Sequence, residues 1–133
     1  MKAVARRRAG YLHEVDVNGH LVVVDEPEDN GGTDKGPSPT DLLAASLASC
    51  TAITIAMYAD RKEWDIEGME VSVDYAGSPK AGENAEFVVT LALPEGLDSD
   101  QVERIRTIAG KCPVHRALTS DVQIEIRDEV LGA

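Results

Sequence analysis

Alternating apolar and polar positions predict β-strands along much of the chain. The clearest case is a hairpin, in which the β-rich residues 11–17 and 20–25 flank the dipeptide Asn18-Gly19. Both turn residues tolerate positive φ, so this pair is a strong short-range signal for a tight turn. The same alternation predicts further strands over residues 4–8, 66–75, 85–93 and 121–127, with 66–75 and 85–93 pairing antiparallel.

A long helix is predicted at the centre of the sequence, where residues 42–59 include no charged side chain. Pro39 and Asp41 suit the first turn of this helix, since proline is tolerated there and a carboxylate favours the positive N-terminal end. Six residues at helical spacing share one face: Leu43, Leu47, Cys50, Ile53, Thr54 and Met57. Because the other faces are also mostly apolar, we predict a central buried helix that holds the Cys50 thiol.

Residues 26–39 form a polar stretch, rich in Gly, Pro and Asp, between the hairpin and the long helix. This stretch is either a solvated connection or a flap over a site, since loops that join scaffold elements often carry function. The sequence leaves both interpretations open.

Two shorter helices are predicted in the second half of the chain. Asp98 or Ser99 can cap the first of them, over residues 99–111. Proline is accepted at the first helical position, so residues 113–118 are predicted to form the second. Together with the strands, this order of elements predicts an α+β fold with mainly antiparallel pairing.

Composition is typical of a globular protein with one domain, here residues 1–133, since 43% of the residues are hydrophobic and 28% are charged. The formal net charge of −11 disfavours nucleic acid and anionic membrane surfaces, whose charges would repel the protein. The run at 42–59 approaches the length of a membrane span, but its serines, threonines and alanines favour a helix inside a globular protein. Residues 1–10 are not followed by the apolar region of a signal peptide, so we expect the cytoplasm.

The two cysteines are the main candidates for chemistry. Cys112 directly precedes Pro113, which predicts that its sulfur lies at a helix N-terminus, where backbone dipoles favour the thiolate. Three residues add positive charge nearby: Lys111, His115 and Arg116. Cys50 lies within an apolar helix, a setting that is by itself more typical of packing than of a nucleophile.

Other interpretations of the same residues remain. Both cysteines could be inert core thiols, because free cysteine is among the most buried residue types. Cys50 together with Cys112-x-x-His115 could bind zinc, which takes thiolate and imidazole ligands, although no fourth ligand is evident. A Ser-His-Asp triad or a phosphate-binding loop cannot be recognised.

Two segments of the chain resemble those of a known family. The sequence GPSPTDLLAASLASCTAI at residues 36–53 and KCPVHRAL at residues 111–118 are similar to the two cysteine motifs of the OsmC/Ohr family, osmotically inducible protein C and organic hydroperoxide resistance protein. In that family a proline-containing loop leads into a central helix with a cysteine near its middle, and a second cysteine followed by proline precedes a later helix. The resemblance covers nearly the whole chain, and the GPSP form is similar to a YhfA-like branch.

The resemblance implies an α+β fold in which two chains intertwine as a homodimer, and a thiol-dependent peroxidase that acts on organic hydroperoxides in defence against oxidative stress. By position, Cys50 resembles the peroxidatic cysteine and Cys112 the resolving cysteine. The Cys50 thiolate would become a sulfenic acid, and Cys112 would condense with it to a disulfide. An external dithiol reductant would then restore the pair, with no metal or organic cofactor.

The match differs from the peroxidase branches at the residues that support the thiolate. Those branches have a glutamate ten residues before the first cysteine, where this chain has Thr40, and the nearest carboxylate is Asp41. The family's arginine corresponds most closely to Arg8, with Arg7 as the alternative. Two other functions therefore remain: a non-catalytic small-molecule or thiol-binding protein with little peroxidase activity, and a structural protein with two core thiols.

Overall fold

The computed structural model describes residues 1–77 and 79–132, which form two compact units. The first unit contains Met1–Ser49 and Val71–Leu91, and the second contains Cys50–Glu70 and Ala92–Ala133. The elements in chain order are β1 (Ala3–Ala9), β2 (Leu12–Val17), β3 (His20–Val24), a 3₁₀ helix (Glu28–Asn30), α1 (Pro39–Lys62), β4 (Glu70–Tyr75), β5 (Phe87–Ala92), α2 (Ser99–Ala109) and α3 (Pro113–Thr119).

The predicted hairpin is confirmed in the first unit. Strands β2 and β3 pair antiparallel, with Val17 opposite His20, and β1 pairs antiparallel with β2 on the other side. Asn18 and Gly19 have φ angles of 50° and 86°, so both turn residues occupy the left-handed region that this short turn requires. The sheet order is therefore β1-β2-β3.

The polar stretch after β3 is organised around Asp25, whose side chain is only 1% exposed. Its carboxylate accepts hydrogen bonds from the Thr33 hydroxyl and from the backbone N–H groups of Glu26, Thr33 and Lys35. The loop also packs tightly against β3, because a Cβ atom on Gly36 would lie 2.4 Å from the carbonyl oxygen of Val23. The stretch is therefore a folded loop, and its backbone is tied to a buried carboxylate.

Helix α1 begins at Pro39, as predicted, and its start is fixed by a reciprocal pair of hydrogen bonds. The Ser38 backbone N–H donates to the Asp41 carboxylate (3.0 Å), and the Asp41 N–H donates to the Ser38 hydroxyl (3.2 Å). This is a capping box, which satisfies N–H groups that have no partner within the helix. The Ser38 N–H and hydroxyl hold the pKa of Asp41 below its ordinary value.

Helix α1 is buried along one row of residues within the single chain. Four residues at i, i+4 spacing are at most 3% exposed: Leu47, Thr51, Ile55 and Ala59. Ile53 and Met57, which share a face with Cys50 in the helical spacing, are 55% and 64% exposed. Because α1 is apolar on all sides, hydrophobic spacing alone could not indicate which row would be buried within the chain. The prediction of a central helix that holds Cys50 is confirmed, and within the single chain this helix is buried along one row rather than on every face.

Strands β4 and β5 form a second sheet, as predicted. Their exposure alternates residue by residue, which confirms the period of two seen in the sequence. The rings of Tyr75 and Phe87 stack with centroids 4.5 Å apart, so an aromatic pair joins the two strands. The connection between them includes Ser78, which lies outside the described residues.

In the second unit, α2 starts at the predicted cap. The Asp98 carboxylate accepts from the Gln101 N–H, and the Gln101 side chain accepts from the Asp98 N–H. Ile105 is 1% exposed and belongs to the core of this unit together with Ile55 and Ala59. The order of strands and helices gives the predicted α+β class.

The predicted last strand is not formed in this chain. Residues 121–130 have no regular secondary structure, and Val122, Ile124 and Ile126 are 63%, 83% and 90% exposed. The alternation that predicted a strand is real, but a strand also requires hydrogen bonds to a neighbouring strand. These residues have no such neighbour in the described part of the chain. We refer to residues 121–130 as the C-terminal segment.

Candidate functional site

Both cysteine sulfurs lie at the start of α3, within the second unit. Cys112 is the N-cap of this helix, and its sulfur accepts a hydrogen bond from the His115 N–H at 3.3 Å. Cys50, which comes from α1, has its sulfur 3.5 Å from the backbone nitrogen of Val114, which donates to it. Two successive amides of one helical turn therefore hold two sulfurs that are far apart in sequence.

The local sequence explains why these amides are free to bind sulfur. The first N–H groups of a helix have no partner within the helix. Pro113 occupies the first helical position, where its missing N–H costs nothing and its fixed φ suits the helix. The next two amides, of Val114 and His115, are then the first ones that can donate to the sulfurs.

The two thiols differ in their access to solvent. Both cysteines are free, with Cys50 partly exposed and Cys112 buried at 0% exposure. A reagent in solution therefore meets the Cys50 sulfur first. The Cys112 sulfur is shielded from solvent although it contacts the same helical turn as the Cys50 sulfur.

Thr51 is a third residue of this site, and the sequence interpretation missed it. Its side chain is 1% exposed, and its hydroxyl oxygen lies 3.7 Å from the Cys112 sulfur. Spacing gave little signal, because Thr51 was seen only as one of several small polar residues in an apolar helix. The structure places Thr51 in the buried row with Leu47, Ile55 and Ala59, and the sequence could not distinguish this row from the other apolar rows of α1.

No hydrogen bond to the Cys112 sulfur from the side chains of Lys111, His115 or Arg116 is found among the described residues. Lys111 and Arg116 are exposed. His115 reaches the Cys112 sulfur through its backbone amide, a contact that any residue other than proline could make. Local positive charge in the sequence was therefore a poor guide to the groups that contact the sulfur.

The residues that the resemblance suggested as support for the thiolate are Asp41 and Arg8, with Arg7 as the alternative to Arg8. All three lie in the first unit, and each has a partner there. Arg8 donates through Nε to the Glu14 carboxylate at 3.3 Å, with 61% of the Arg8 side chain exposed. Arg7 donates through Nε to the Gly10 carbonyl at 2.9 Å. Asp41 belongs to the capping box with Ser38. Their roles in supporting a thiolate stay predictions.

Metal binding was one alternative for the cysteines and His115. Across residues 1–77 and 79–132, no group of three or more His, Cys, Asp or Glu side chains is arranged to hold a metal ion. The hydrogen bonds found for the two sulfurs are to Thr51 and to backbone amides.

The first unit also contains an open groove of about 480 Å³. Its walls are mainly apolar, from Val15, Val24 and Leu42, with the polar groups of Tyr11 and His13 at the same surface. A mainly apolar cleft with a few polar groups is the usual form of a small-molecule site.

Fold and site together define an α+β protein with two free thiols at the start of one helix. The family model for OsmC-like protein matches residues 32–127, which include both cysteines. The chain therefore belongs to the OsmC-like protein family. Within this family α1, which has the length and hydropathy of a membrane span, is the core helix of the domain. Comparison with curated proteins finds no match.

Solved structures with the same fold come from several bacteria. A protein described as osmotic stress induced and detoxification response protein, from Psychrobacter arcticus, is 26% identical with a TM-score of 0.73, over 87% of this chain and 86% of that one. An organic hydroperoxide resistance protein OsmC from Legionella pneumophila is 19% identical with a TM-score of 0.66, over 90% of each chain. A protein from Vibrio cholerae described as an organic hydroperoxide resistance protein has captopril in one of its active sites; it is 20% identical with a TM-score of 0.65, over 91% and 86% of the two chains.

Proposed function

We propose that this protein is a cysteine-dependent peroxidase that reduces organic hydroperoxides through a Cys50/Cys112 redox pair, in defence against oxidative stress. The observation that carries the proposal is that adjacent amides of α3 bind one partly exposed and one buried sulfur. Cys50 is the peroxidatic residue because it can meet a substrate, and Cys112 is the resolving residue because it is shielded from solvent.

The proposed reaction proceeds in three balanced steps. The Cys50 thiolate attacks the terminal oxygen of the hydroperoxide, the O–O bond breaks, and the alkoxide leaves as an alcohol after taking up a proton, so that Cys50 becomes a sulfenic acid. The Cys112 sulfur then attacks the Cys50 sulfur, and the hydroxyl leaves as water once it gains the Cys112 proton. A dithiol reductant finally exchanges with the disulfide, which returns both thiols while the reductant is oxidised.

Two amide donors support the first two steps. The Val114 N–H can stabilise negative charge on Cys50, and the His115 N–H can do the same for Cys112. The names of two solved relatives refer to organic hydroperoxide resistance, which supports the choice of substrate class. We also propose Asp41 and Arg8 as supporting residues, and the YhfA-like branch as the part of the family to which the chain is most similar.

A thiol count after peroxide treatment tests this function. Purified wild type, Cys50→Ser and Cys112→Ser are treated with cumene hydroperoxide, and in parallel with hydrogen peroxide, and the remaining free thiols are counted. We expect wild type to lose both thiols with one equivalent of cumene hydroperoxide, faster than with hydrogen peroxide. Cys112→Ser should accumulate a sulfenic acid at Cys50, detectable with a dimedone probe, because no second thiol can condense with it.

Two outcomes would contradict the assignment. If both thiols persist through stoichiometric peroxide, the peroxidase function is wrong. If the dimedone adduct forms on Cys112 in the Cys50→Ser variant but never on Cys50 in the Cys112→Ser variant, the two roles are reversed.

The alternative is a non-catalytic small-molecule or thiol-binding protein. Thr40, in place of the family's glutamate, and the groove of about 480 Å³ in the first unit support this alternative. A protein of this kind would keep its thiols in the peroxide experiment and would bind a small apolar ligand with a measurable shift in melting temperature.

We further propose that the protein is a cytoplasmic homodimer with one domain per chain. Of the 18 consecutive residues that form the apolar part of α1, only 22% are buried within the single chain. The exposed Ile53 and Met57 and the alternating apolar side chains of the C-terminal segment provide apolar surface that a second copy can cover.

A further inference from the structure

Thr51 uses its hydroxyl group differently from the serines that precede it in α1. Ser46 donates to the Leu43 carbonyl at 2.7 Å, and Ser49 donates to the Ala45 carbonyl at 2.8 Å, so both are satisfied by their own helix. The Thr51 hydroxyl instead contacts the Cys112 sulfur, which lies 61 residues away in sequence. No buried side-chain nitrogen or oxygen in the described residues lacks a hydrogen-bond partner, so this sulfur satisfies a hydroxyl that water cannot reach.

We propose that Thr51 is a positioning residue that stabilises the reduced form of Cys112 by donating its hydroxyl hydrogen to the sulfur. This inference rests on the proposed redox pairing of Cys50 and Cys112. In the reduced protein, the buried Cys112 sulfur accepts from the His115 N–H at 3.3 Å and lies 3.7 Å from the Thr51 hydroxyl, a contact in which either the hydroxyl or the thiol can be the donor. A thiolate has no hydrogen to donate, so the hydroxyl is then the donor. Hydrogen bonds to a charged acceptor are stronger than neutral ones, so the effect is largest when the sulfur is a thiolate.

The effect of Thr51 on the redox equilibrium follows from its position. Reduction of the disulfide takes two electrons and two protons and returns two cysteines, one of which is next to Thr51. A sulfur in a disulfide is a weaker acceptor than a thiolate, so the hydroxyl stabilises the dithiol more than the disulfide. A reduced form that is stabilised in this way makes the disulfide easier to reduce, as in oxidising thiol–disulfide proteins generally. Thr51 therefore favours the step in which the external dithiol restores the enzyme.

Replacement of Thr51 by valine removes the hydroxyl and keeps nearly the same shape. We expect Thr51→Val to shift the thiol–disulfide equilibrium about tenfold toward the disulfide, which corresponds to a reduction potential about 30 mV more negative. Thr51→Ser keeps the hydroxyl, so its reduction potential should be close to that of wild type. The matched control is Thr54→Val, on the same helix, since Thr54 is only partly buried and makes no contact with either sulfur among the hydrogen bonds found.

The experiment equilibrates each variant in buffers of reduced and oxidised glutathione and measures the disulfide fraction by thiol alkylation and mass spectrometry. Circular dichroism checks that each variant is folded; if Thr51→Val is unfolded, Thr51→Ala and Thr51→Ser carry the comparison. Equal potentials for wild type and Thr51→Val, or an equal shift in Thr54→Val, would overturn the inference. Lack of rescue by Thr51→Ser would also overturn it, because packing alone would then explain the change.

This measurement uses no hydroperoxide, so it separates the inference from the proposed activity. If glutathione forms the Cys50–Cys112 disulfide but cumene hydroperoxide does not oxidise the protein, the peroxidase function is wrong and the role of Thr51 can still be read from the potentials. If no glutathione ratio produces the disulfide in wild type, the inference about Thr51 is wrong.

Discussion

Asp25 shows how one buried carboxylate can organise a loop that contains no apolar period. The Thr33 hydroxyl, followed by the N–H groups of Glu26, Lys35 and Thr33, holds the pKa of Asp25 below its ordinary value, although burial acts in the opposite direction. A group whose pKa is lower in the folded than in the unfolded protein adds stability above its unfolded pKa. That contribution is lost as the pH falls through the folded pKa.

At the residue scale, we predict that Thr33→Val raises the pKa of Asp25 toward its ordinary value. The variant loses the hydroxyl that contributes most to lowering this pKa, so the loop should open at a higher pH during acid titration than in wild type. NMR titration of the Asp25 carboxyl, with amide hydrogen exchange at Lys35, provides the measurement. Asp29→Asn, in the exposed 3₁₀ helix, is the control and should leave the titration unchanged. An Asp25 titration that is the same in wild type and Thr33→Val would contradict this account.

At the element scale, α1 separates what hydrophobic spacing can predict from what it cannot. The start of the helix was predictable because Pro39 and Asp41 are local signals, and the capping box confirms them. The cap of α2 at Asp98 was predictable for the same reason. The buried row that includes Thr51 and Ile55 was not, because every face of α1 is apolar and the choice depends on packing from distant segments.

The candidate site shows the same division. Cys112-Pro113 is a local signal, and it correctly placed the sulfur at the start of a helix. The approach of Cys50 to the Val114 amide and of Thr51 to the Cys112 sulfur joins segments that are more than sixty residues apart. Spacing along the chain carries no information about such contacts; the family resemblance supplied the cysteine pairing and gave no indication of Thr51.

Ile55 provides the prediction for this helix. Its side chain is 1% exposed, so Ile55→Ala should lower the free energy of unfolding by about 2–5 kcal/mol, through lost transfer energy and the cavity left behind. Urea unfolding followed by circular dichroism measures this change. Ile53→Ala is the matched control: Ile53 lies on the same helix and is 55% exposed, so its cost within one chain should be much smaller. If Ile55→Ala and Ile53→Ala lower the free energy of unfolding equally in dilute protein, the two rows of α1 are buried alike and the prediction is wrong.

At the scale of the whole molecule, apolar surface and net charge act in opposite directions on association. Each chain exposes large side chains on α1 and along the C-terminal segment, and burial of this surface favours a dimer. Each chain also has a formal charge of −11, so two copies repel one another at low ionic strength. Association should therefore strengthen as salt is added, which is the reverse of what an interface between opposite charges would show.

The C-terminal segment gives the test of the proposed homodimer. Ile124→Asp places a charge among apolar side chains that a second copy would cover, and we expect it to weaken dimerisation at least tenfold, the effect of about 1.4 kcal/mol. Sedimentation velocity across a range of protein concentrations measures the dissociation constant. Gln123→Asp adds the same charge on the other side of this alternating segment and should leave the constant nearly unchanged. A wild type that remains monomeric at high concentration would contradict the homodimer.

The complete burial of Cys112 determines where irreversible oxidative damage can fall. Excess oxidant can carry an exposed sulfenic acid on to sulfinic acid, whereas a sulfur at 0% exposure is shielded from the same reagent. In the proposed cycle, Cys50 is therefore the residue that becomes overoxidised, and a damaged molecule retains an intact thiol beneath it. Severe peroxide stress would therefore leave a sulfinic acid at Cys50 and a thiol at Cys112.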